Sequence, residues 1–343
     1  MNQPHQQQIP ISVVIPTCNR RPGLLTLLGN LHRSAYPLLE VIIVDSGEDR
    51  LLPSDYEPFA SLNILYMSSE KSVSIQRNIG IRLARAPLIF LCDDDIEVPP
   101  DYLQRLTDHL AEHPGAGAVS GLVLQQEQGV WQASYPIRSA TELLRKFIFQ
   151  LSIWGEIQCP QNNLLIKKIA AWYHRKGNHI SRAGWPVITE FSGDYFITPI
   201  YGLGASLVKK EWLIHSPYEE VLDRNGIGDN YGVAIGFPAI GIHILTQASV
   251  NHHQAPANRL QHPLQYLRRV LALDYFIRTK KELQHIKRRW LIWSLTGNLL
   301  MALIARNGRM IHSTFTSLRI IAFGRNPYIK GAKNNGRIIE PTL

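Results

Sequence analysis

Three consecutive carboxylates, Asp93, Asp94 and Asp95, follow directly on the apolar run at residues 88–91. Like charges held side by side repel, so a folded chain needs something to hold them together. A divalent cation does this well: Mg²⁺ and Mn²⁺ prefer hard oxygen ligands and are often bound by one or two carboxylates together with substrate phosphates. Such an ion can neutralise a departing diphosphate. A solvated acidic turn ahead of a helix would give the same three letters, because carboxylates also favour a helix N-terminus. The residues alone leave both readings open. A second isolated carboxylate, Asp229, stands ahead of an apparent helix at residues 232–237, and two histidines, His252 and His253, follow a β-like run at 242–250.

The elements that must position these groups are read from the hydrophobic pattern. Residues 11–15 and 41–44 are short β-branched runs, and 62–67, 88–91 and 118–124 read as further strands. Between them lie helical patterns. Leu24, Leu27, Leu28 and Leu31 share one face, Ile75, Ile79 and Leu83 share another within 71–85, and Leu103, Leu106 and Leu110 share a third. This βα alternation with nearly continuous apolar strands predicts a mostly parallel sheet with helices on both faces. Ligands of such sheets bind at the carboxyl ends of the strands. The polar clusters at 17–20, 45–47 and 93–95 should therefore converge on one crevice.

The rhythm breaks at residues 134–194, a stretch rich in aromatic and basic residues, and a patterned region resumes with Gly202, Gly204 and Ala205. Scattered large aromatics such as those of the middle stretch are usually packing anchors, so they are left out of the site. Beyond Leu260 the chain reads as helical and basic to about Arg325, and 331–343 reads as a loose tail.

Composition narrows the function classes. A formal net charge of +9 across 343 residues suits an anionic partner. Three distant cysteines without CxxC spacing argue against a disulfide framework or a structural zinc site and fit a reducing compartment. The polar N-terminus lacks the form of a signal peptide. The longest apolar run, 290–305, is shorter than the roughly 20 residues a bilayer span needs. The expectation is a cytoplasmic protein, peripheral on the inner face of the cell membrane if its apolar-and-basic segment 287–325 lies on that surface. The rival for that segment is a helical pair packed on the main domain with a solvated basic edge.

Four segments in order carry a family resemblance. They are Val13-Val14-Ile15-Pro16-Thr17-Cys18-Asn19-Arg20, Glu40-Val41-Ile42-Ile43-Val44-Asp45-Ser46-Gly47, Gln76-Arg77-Asn78-Ile79-Gly80 and Phe90-Leu91-Cys92-Asp93-Asp94-Asp95. In that order and spacing the chain resembles the family-2 glycosyltransferases, closely over 11–124 and more loosely to about 269. The resemblance implies an α/β fold: a GT-A-like, mostly parallel sheet with helices on both faces, plus a C-terminal helical extension. It implies a catalytic domain at 9–260, in which 134–194 is an acceptor-side insertion, then a basic helical extension at 261–330 and a tail at 331–343.

It also implies roles. Asp45 would bond the nucleotide base, Thr17 and Arg20 would line the nucleotide pocket, and Arg77 and Asn78 would lie near the donor. Asp93 would face the ribose or metal, Asp95 would ligate the metal, and Asp94 could share the donor site or the metal, since a triple Asp leaves the register of a DXD motif ambiguous. His252 would lie near the diphosphate or metal, and Gly202, Gly204 and Ala205 would line the donor-sugar side. Asp229 matches the Asp that deprotonates the acceptor hydroxyl, although Gly228 stands where relatives carry Glu; Asp223 and Asp194 are reserves. An inverting transfer needs one carboxylate within hydrogen-bond reach of that hydroxyl. Asp229 would also serve simply as a helix cap.

The implied cofactor is Mn or Mg. The implied partners are a nucleotide diphosphate sugar, of uridine or thymidine type by family expectation, and a glycan, lipid-linked or other hydroxyl acceptor, with no nucleic acid. Three rivals are weighed. A haloacid-dehalogenase phosphatase would carry its DXD after the first strand, whereas these carboxylates follow the fourth. A nucleotidyltransferase would want a Gly-rich phosphate loop near the first strand, and none is found. A catalytically inactive glycan- or lipid-binding relative is favoured by the missing Glu at Gly228.

Overall fold

The computed structural model describes residues 8–160, 162–254, 260–334 and 336–343. The first strand, β1 (Ile11–Thr17), is buried along its whole length, as its apolar β-branched sequence requires. It leads through α1 (Arg21–His32) to β2 (Glu40–Asp45), then α2 (Pro53–Tyr56), a 3₁₀ turn (Glu57–Leu62) and β3 (Ile64–Ser68). Next come α3 (Val73–Leu83), β4 (Leu88–Cys92), β5 (Ile96–Glu97), α4 (Tyr102–Glu112), β6 (Ala118–Glu127) and β7 (Val130–Gln132).

The middle segment holds α5 (Ala140–Phe149), β8 (Ile153–Trp154), α6 (Leu164–Lys176), β9 (His179–Ile180) and β10 (Pro186–Ile188). The main sheet resumes with β11 (Tyr195–Thr198) and β12 (Ala205–Lys209), followed by α7 (Lys210–His215), α8 (Asp229–Ala234) and β13 (Ile242–His252). Four helices end the chain: α9 (His262–Thr279), α10 (Arg288–Ile304), α11 (Gly308–Ala322) and α12 (Pro327–Lys333).

The main sheet runs β11-β13-β6-β12-β4-β1-β2-β3. Strands β4, β1, β2 and β3 are mutually parallel, and β13 is parallel to β6. Strand β12 runs antiparallel between β4 and β6, and β11 is an antiparallel edge. The sheet is thus mostly parallel, as the sequence suggests, with two reversals along this path, and the short antiparallel strands β5 and β7 beside β13 and β6, that apolar periodicity does not show. Its two faces are covered separately. Leu24, Leu28, Leu103 and Leu106 of α1 and α4 pack on one side, and Ile81, Leu213 and Val233 of α3, α7 and α8 pack on the other.

This topology sets the site. The carboxyl ends of β1, β2, β4 and β13 share one edge, placing Thr17, Asp45, Asp93 and His252 there. Because β12 runs the other way, its beginning meets that same edge: Ala205 pairs with Cys92.

The middle segment has structure that the sequence reading leaves blank. Strands β8, β10 and β9 form a small separate sheet. Its apolar core, with Leu143, Ile153, Ile166, Tyr173 and Val187, is distinct from the main one. Strands of two or three residues are too short to give a periodic signal.

The C-terminal helices form a further core around α9, including Leu267, Val270, Leu271 and Phe276. The loose tail expected at 331–343 is corrected by the structure. Ile339 N donates to Val221 O, Arg268 Nε donates to Pro341 O, and Arg268 pairs with Glu340 at 2.7 Å. A polar, patternless tail hides such docking because the partners lie some 70 residues or more away in the chain. Among the described residues, no helix is long and apolar enough to cross a membrane.

Candidate active site

A crevice of about 530 Å³ opens at the shared strand edge, lined by Thr17, Arg20, Arg77, all three acidic residues 93–95, Asp229 and His252. Lys71, Arg224, Gln265 and Arg269 complete its rim with further polar and positive groups. A larger cavity of about 830 Å³ lies elsewhere, lined by Glu156, His174, Glu190 and Tyr195. It contains none of the residues singled out by sequence, so the smaller, more charged crevice is the candidate site.

The three adjacent carboxylates have different sets of partners, with Arg20 shared by two of them. Asp94 accepts hydrogen bonds at 2.7 Å from the Thr17 hydroxyl and from Arg20 Nη1. Asp95 lies 3.3 Å from the same guanidinium and 3.1 Å from His252 Nε2. Asp93 pairs with Arg77 Nη2 at 2.5 Å. Repulsion within the triplet is thus relieved by dividing it between two arginines and a histidine. Burial is the main influence on Asp94 and raises its pKa to about 6, with Arg20 and Thr17 opposing the rise.

Arg77 joins the two halves of the site. Its other amino group, Nη1, pairs with Asp229 Oδ2 at 2.5 Å, and its guanidinium lies over the Tyr218 ring, 5.0 Å from the centroid. Asp229 also accepts its neighbour's amide, Asn230 N, at 2.6 Å. Burial lifts the Asp229 pKa to about 6, opposed chiefly by Arg77. The loop leading to Asp229 turns through Gly226 and Gly228 with φ of +63° and +92°, where a side chain would be strained. A Cβ at Gly226 would also come within 2.7 Å of Asp229 Oδ2. Gly204 has a similar place: its carbonyl accepts Asp93 N at 2.8 Å, and a Cβ there would overlap Asp93 Oδ2.

Two expected ligands face elsewhere. Asn78 bonds Tyr218 O at 2.9 Å, Glu220 Oε1 at 2.8 Å and Tyr218 N at 3.0 Å, so it fastens the 218–220 segment instead of lining the crevice. Successive helix residues diverge by roughly 100°, so Arg77 and Asn78 cannot both face the donor side. Asp45 is buried and does not line the crevice; Gly47 N donates to it at 2.7 Å and the Tyr66 hydroxyl at 2.5 Å. Ser46 lines the crevice in its place.

The reserves also sit apart. Asp223 is fully buried against Arg268 and the Tyr328 hydroxyl, both at 3.0 Å. Asp194 is exposed at the start of β11 and lies outside the crevice. His253 pairs with Glu97 at 3.2 Å, outside the crevice.

Sequence reasoning missed Gln76 as a working residue. Its amide donates to Thr17 O at 2.7 Å and Val44 O at 2.6 Å, clamping the ends of β1 and β2 together. It also missed Gln265 and Arg269. Two polar residues four apart on an otherwise buried helix were the available signal.

A divalent cation fits this site in part. Among the described residues, no three His, Cys, Asp or Glu side chains come together as a complete metal cluster. Asp93, expected as a ligand, pairs with Arg77. Asp95 and His252 do offer one carboxylate oxygen and one imidazole nitrogen 3.1 Å apart. An ion held there would have to take its other positions from phosphates and water.

Comparison with known proteins assigns one segment of the chain. The Glycosyl transferase family 2 profile matches residues 12–170. Those residues, just under half of the chain, form a family 2 glycosyltransferase domain. It is 31% identical over 101 residues to an uncharacterized glycosyltransferase, YwdF, of Bacillus subtilis, covering 29% of this chain and 38% of that protein. It is 38% identical over 113 residues to validoxylamine A glucosyltransferase of Streptomyces hygroscopicus, covering 31% and 26%. A glucosyl-dolichyl phosphate glucuronosyltransferase of Haloferax volcanii is 26% identical over 131 residues, covering 37% and 41%. The matches thus span well under half of each relative. Among solved structures, a mannosyltransferase from Pyrobaculum calidifontis in complex with GDP-Man and Mn²⁺ overlays with a TM-score of 0.49 at 17% identity, over 96% of this chain and 84% of that one. The segment matched by the family profile runs from β1 into α6 and includes Arg77 and all three acidic residues of the crevice. Asp229 and His252 come from beyond the matched segment.

Proposed function

We propose that this protein transfers a sugar from a nucleotide diphosphate donor to an acceptor hydroxyl, with inversion at the anomeric carbon. The observation that carries the reading is Arg77, which joins Asp93 of the matched segment to Asp229 at the start of α8 within one crevice. In this reading the donor diphosphate lies among Arg20, Arg77, Lys71 and Arg269, whose positive charge draws it in.

Asp229 accepts the proton of the acceptor hydroxyl. The freed oxygen forms a bond to the anomeric carbon from the face opposite the diphosphate, and the bond from that carbon to the phosphate oxygen breaks. Its pair of electrons leaves with the nucleoside diphosphate. A carboxylate with a pKa of about 6 is mostly ionised at neutral pH and is a stronger base than an ordinary Asp. Asp95 and His252 would hold a Mn²⁺ or Mg²⁺ ion, which stabilises negative charge on a diphosphate when bound. Thr17 and Arg20 orient Asp94, which keeps the strand-end loop in place behind them. The named relatives that transfer glucosyl and glucuronosyl groups favour a hexose-type sugar.

The test is a panel of nucleotide diphosphate sugars assayed for binding by thermal shift and for turnover, with and without Mn²⁺. The expected result is one nucleotide class that raises Tm with metal and turns over, with binding retained but turnover lost in Asp229→Asn. Failure of every donor to bind folded protein overturns the reading.

A further inference from the structure

We infer that α10, α11 and the basic segment after them form a docking face for an anionic lipid bilayer. The first ground is charge. No Asp or Glu occurs between Glu282 and Glu340, whereas ten lysines and arginines recur from Lys287 to Arg337, more than the formal surplus of +9 of the whole chain. Among the described residues, Arg306, Arg309 and Arg319 are exposed and have no carboxylate within ion-pair distance.

The second ground is apolar surface left open beside those cations. Leu300, Leu303 and Ile304 fall three and four residues apart on α10 and are 46%, 51% and 66% exposed. They run directly into Arg306 and Arg309 at the turn. Phe315 of α11 and Phe323 just beyond it are 57% and 69% exposed, and the Arg325 guanidinium lies over the Phe323 ring at 5.7 Å. Large side chains in water beside unpaired cations are the pattern of a helix lying in a headgroup layer, with apolar groups inserted and basic groups on the phosphates.

Alternative occupants fit less well. A second copy would bring the same positive surface against itself. A nucleic acid would satisfy the arginines but give Leu303 and Ile304 no apolar environment. A span across the bilayer is ruled out by helix length and polarity among the described residues. The face also borders the crevice. Asn298 of α10 bonds the Tyr266 hydroxyl at 3.0 Å, and Ser313 of α11 bonds Pro263 O at 2.6 Å, on the same turns of α9 that carry Gln265 and Arg269.

This inference does not depend on sugar transfer, and its test reads binding alone. Full-length protein is co-sedimented with vesicles of phosphatidylcholine, and with vesicles that also contain phosphatidylglycerol. Binding is expected only to the second kind and should weaken as salt is raised. The double variant Arg306→Gln/Arg309→Gln should bind about 30-fold more weakly, at roughly fivefold per basic charge. Leu303→Ser/Ile304→Ser should bind at least about tenfold more weakly, with an unchanged melting temperature because both positions are exposed. Three results would overturn the inference: no binding to anionic vesicles, equal binding to both kinds, or binding untouched by the Leu303/Ile304 change. A lipid-free dimer abolished by that same change would show a protein interface instead.

Discussion

Replacing Arg77 by Ala should move the acid limb of the pH–rate profile upward. Asp229 has a pKa of about 6, set by burial that raises it and by Arg77 that lowers it. Removing the guanidinium leaves burial largely unopposed, and an opposite charge at such range is worth about 1–3 units. The pKa in the variant should then fall at about 7–9. In the wild type roughly nine-tenths of Asp229 is ionised at pH 7; in the variant the ionised share drops to between about one-half and one-hundredth. Turnover at pH 7 should fall by that ratio and recover as the pH approaches 9. Loss of Arg77 contacts to the donor would add a constant factor at all pH values without moving the limb. The assay is kcat measured from pH 5 to 9.5 under saturating donor and acceptor. An acid limb that stays in place, with activity reduced evenly across the range, would refute the assignment of Asp229 as the titrating base held by Arg77.

Further expectations follow from neighbouring contacts. Because the folded-state pKa of Asp229 lies above its unfolded value near 3.8, its protonated form is favoured by folding, and that stability is lost as pH rises through about 6. Asp229→Asn should therefore abolish turnover and remove the fall in stability that Asp229 contributes between about pH 4 and pH 7, as read by denaturant unfolding across that range. Gly204→Ala should push the Asp93 carboxylate off its contact with Arg77 and lower kcat/KM by about 100-fold while the far-ultraviolet circular dichroism stays the same; wild-type kinetics would contradict the packing argument. Arg268→Ala removes the partner of fully buried Asp223 and should cost about 3–5 kcal/mol, whereas Glu340→Ala, half exposed, should cost no more than about 1 kcal/mol; thermal melts of both variants give the comparison.

The parallel strands of the sheet and the edge that carries its chemistry are legible in the sequence. Apolar runs ended by Thr17, Asp45 and Asp93 give strands, and the 3.6-residue leucine spacings of α1 and α4 give helices that cover them. Parallel connection then puts the strand ends on one edge. These are local signals, carried by hydrophobic period and by residues within a few positions of each other. The acidic triplet was legible as three adjacent carboxylates after a strand, whereas Arg77 was singled out only by the family resemblance.

Which way each of those side chains faces, and what it meets, depends on the packing of distant elements. Asn78 and Arg77 are adjacent in the chain but point apart, because a helix turns about 100° per residue. Asp45 is consumed by Gly47 and by Tyr66, a residue 21 positions away. Asp93, Asp94 and Asp95 are indistinguishable as letters but have different partners, and the one that meets His252 does so across a sheet whose two strands are distant in sequence. The buried tie of Arg268 to Asp223 and Glu340, and the crevice positions of Gln265 and Arg269, depend on how α9 packs against the domain. Long-range contacts between isolated polar residues leave no periodic trace in a sequence, and so the fold had to be seen before the site could be assembled.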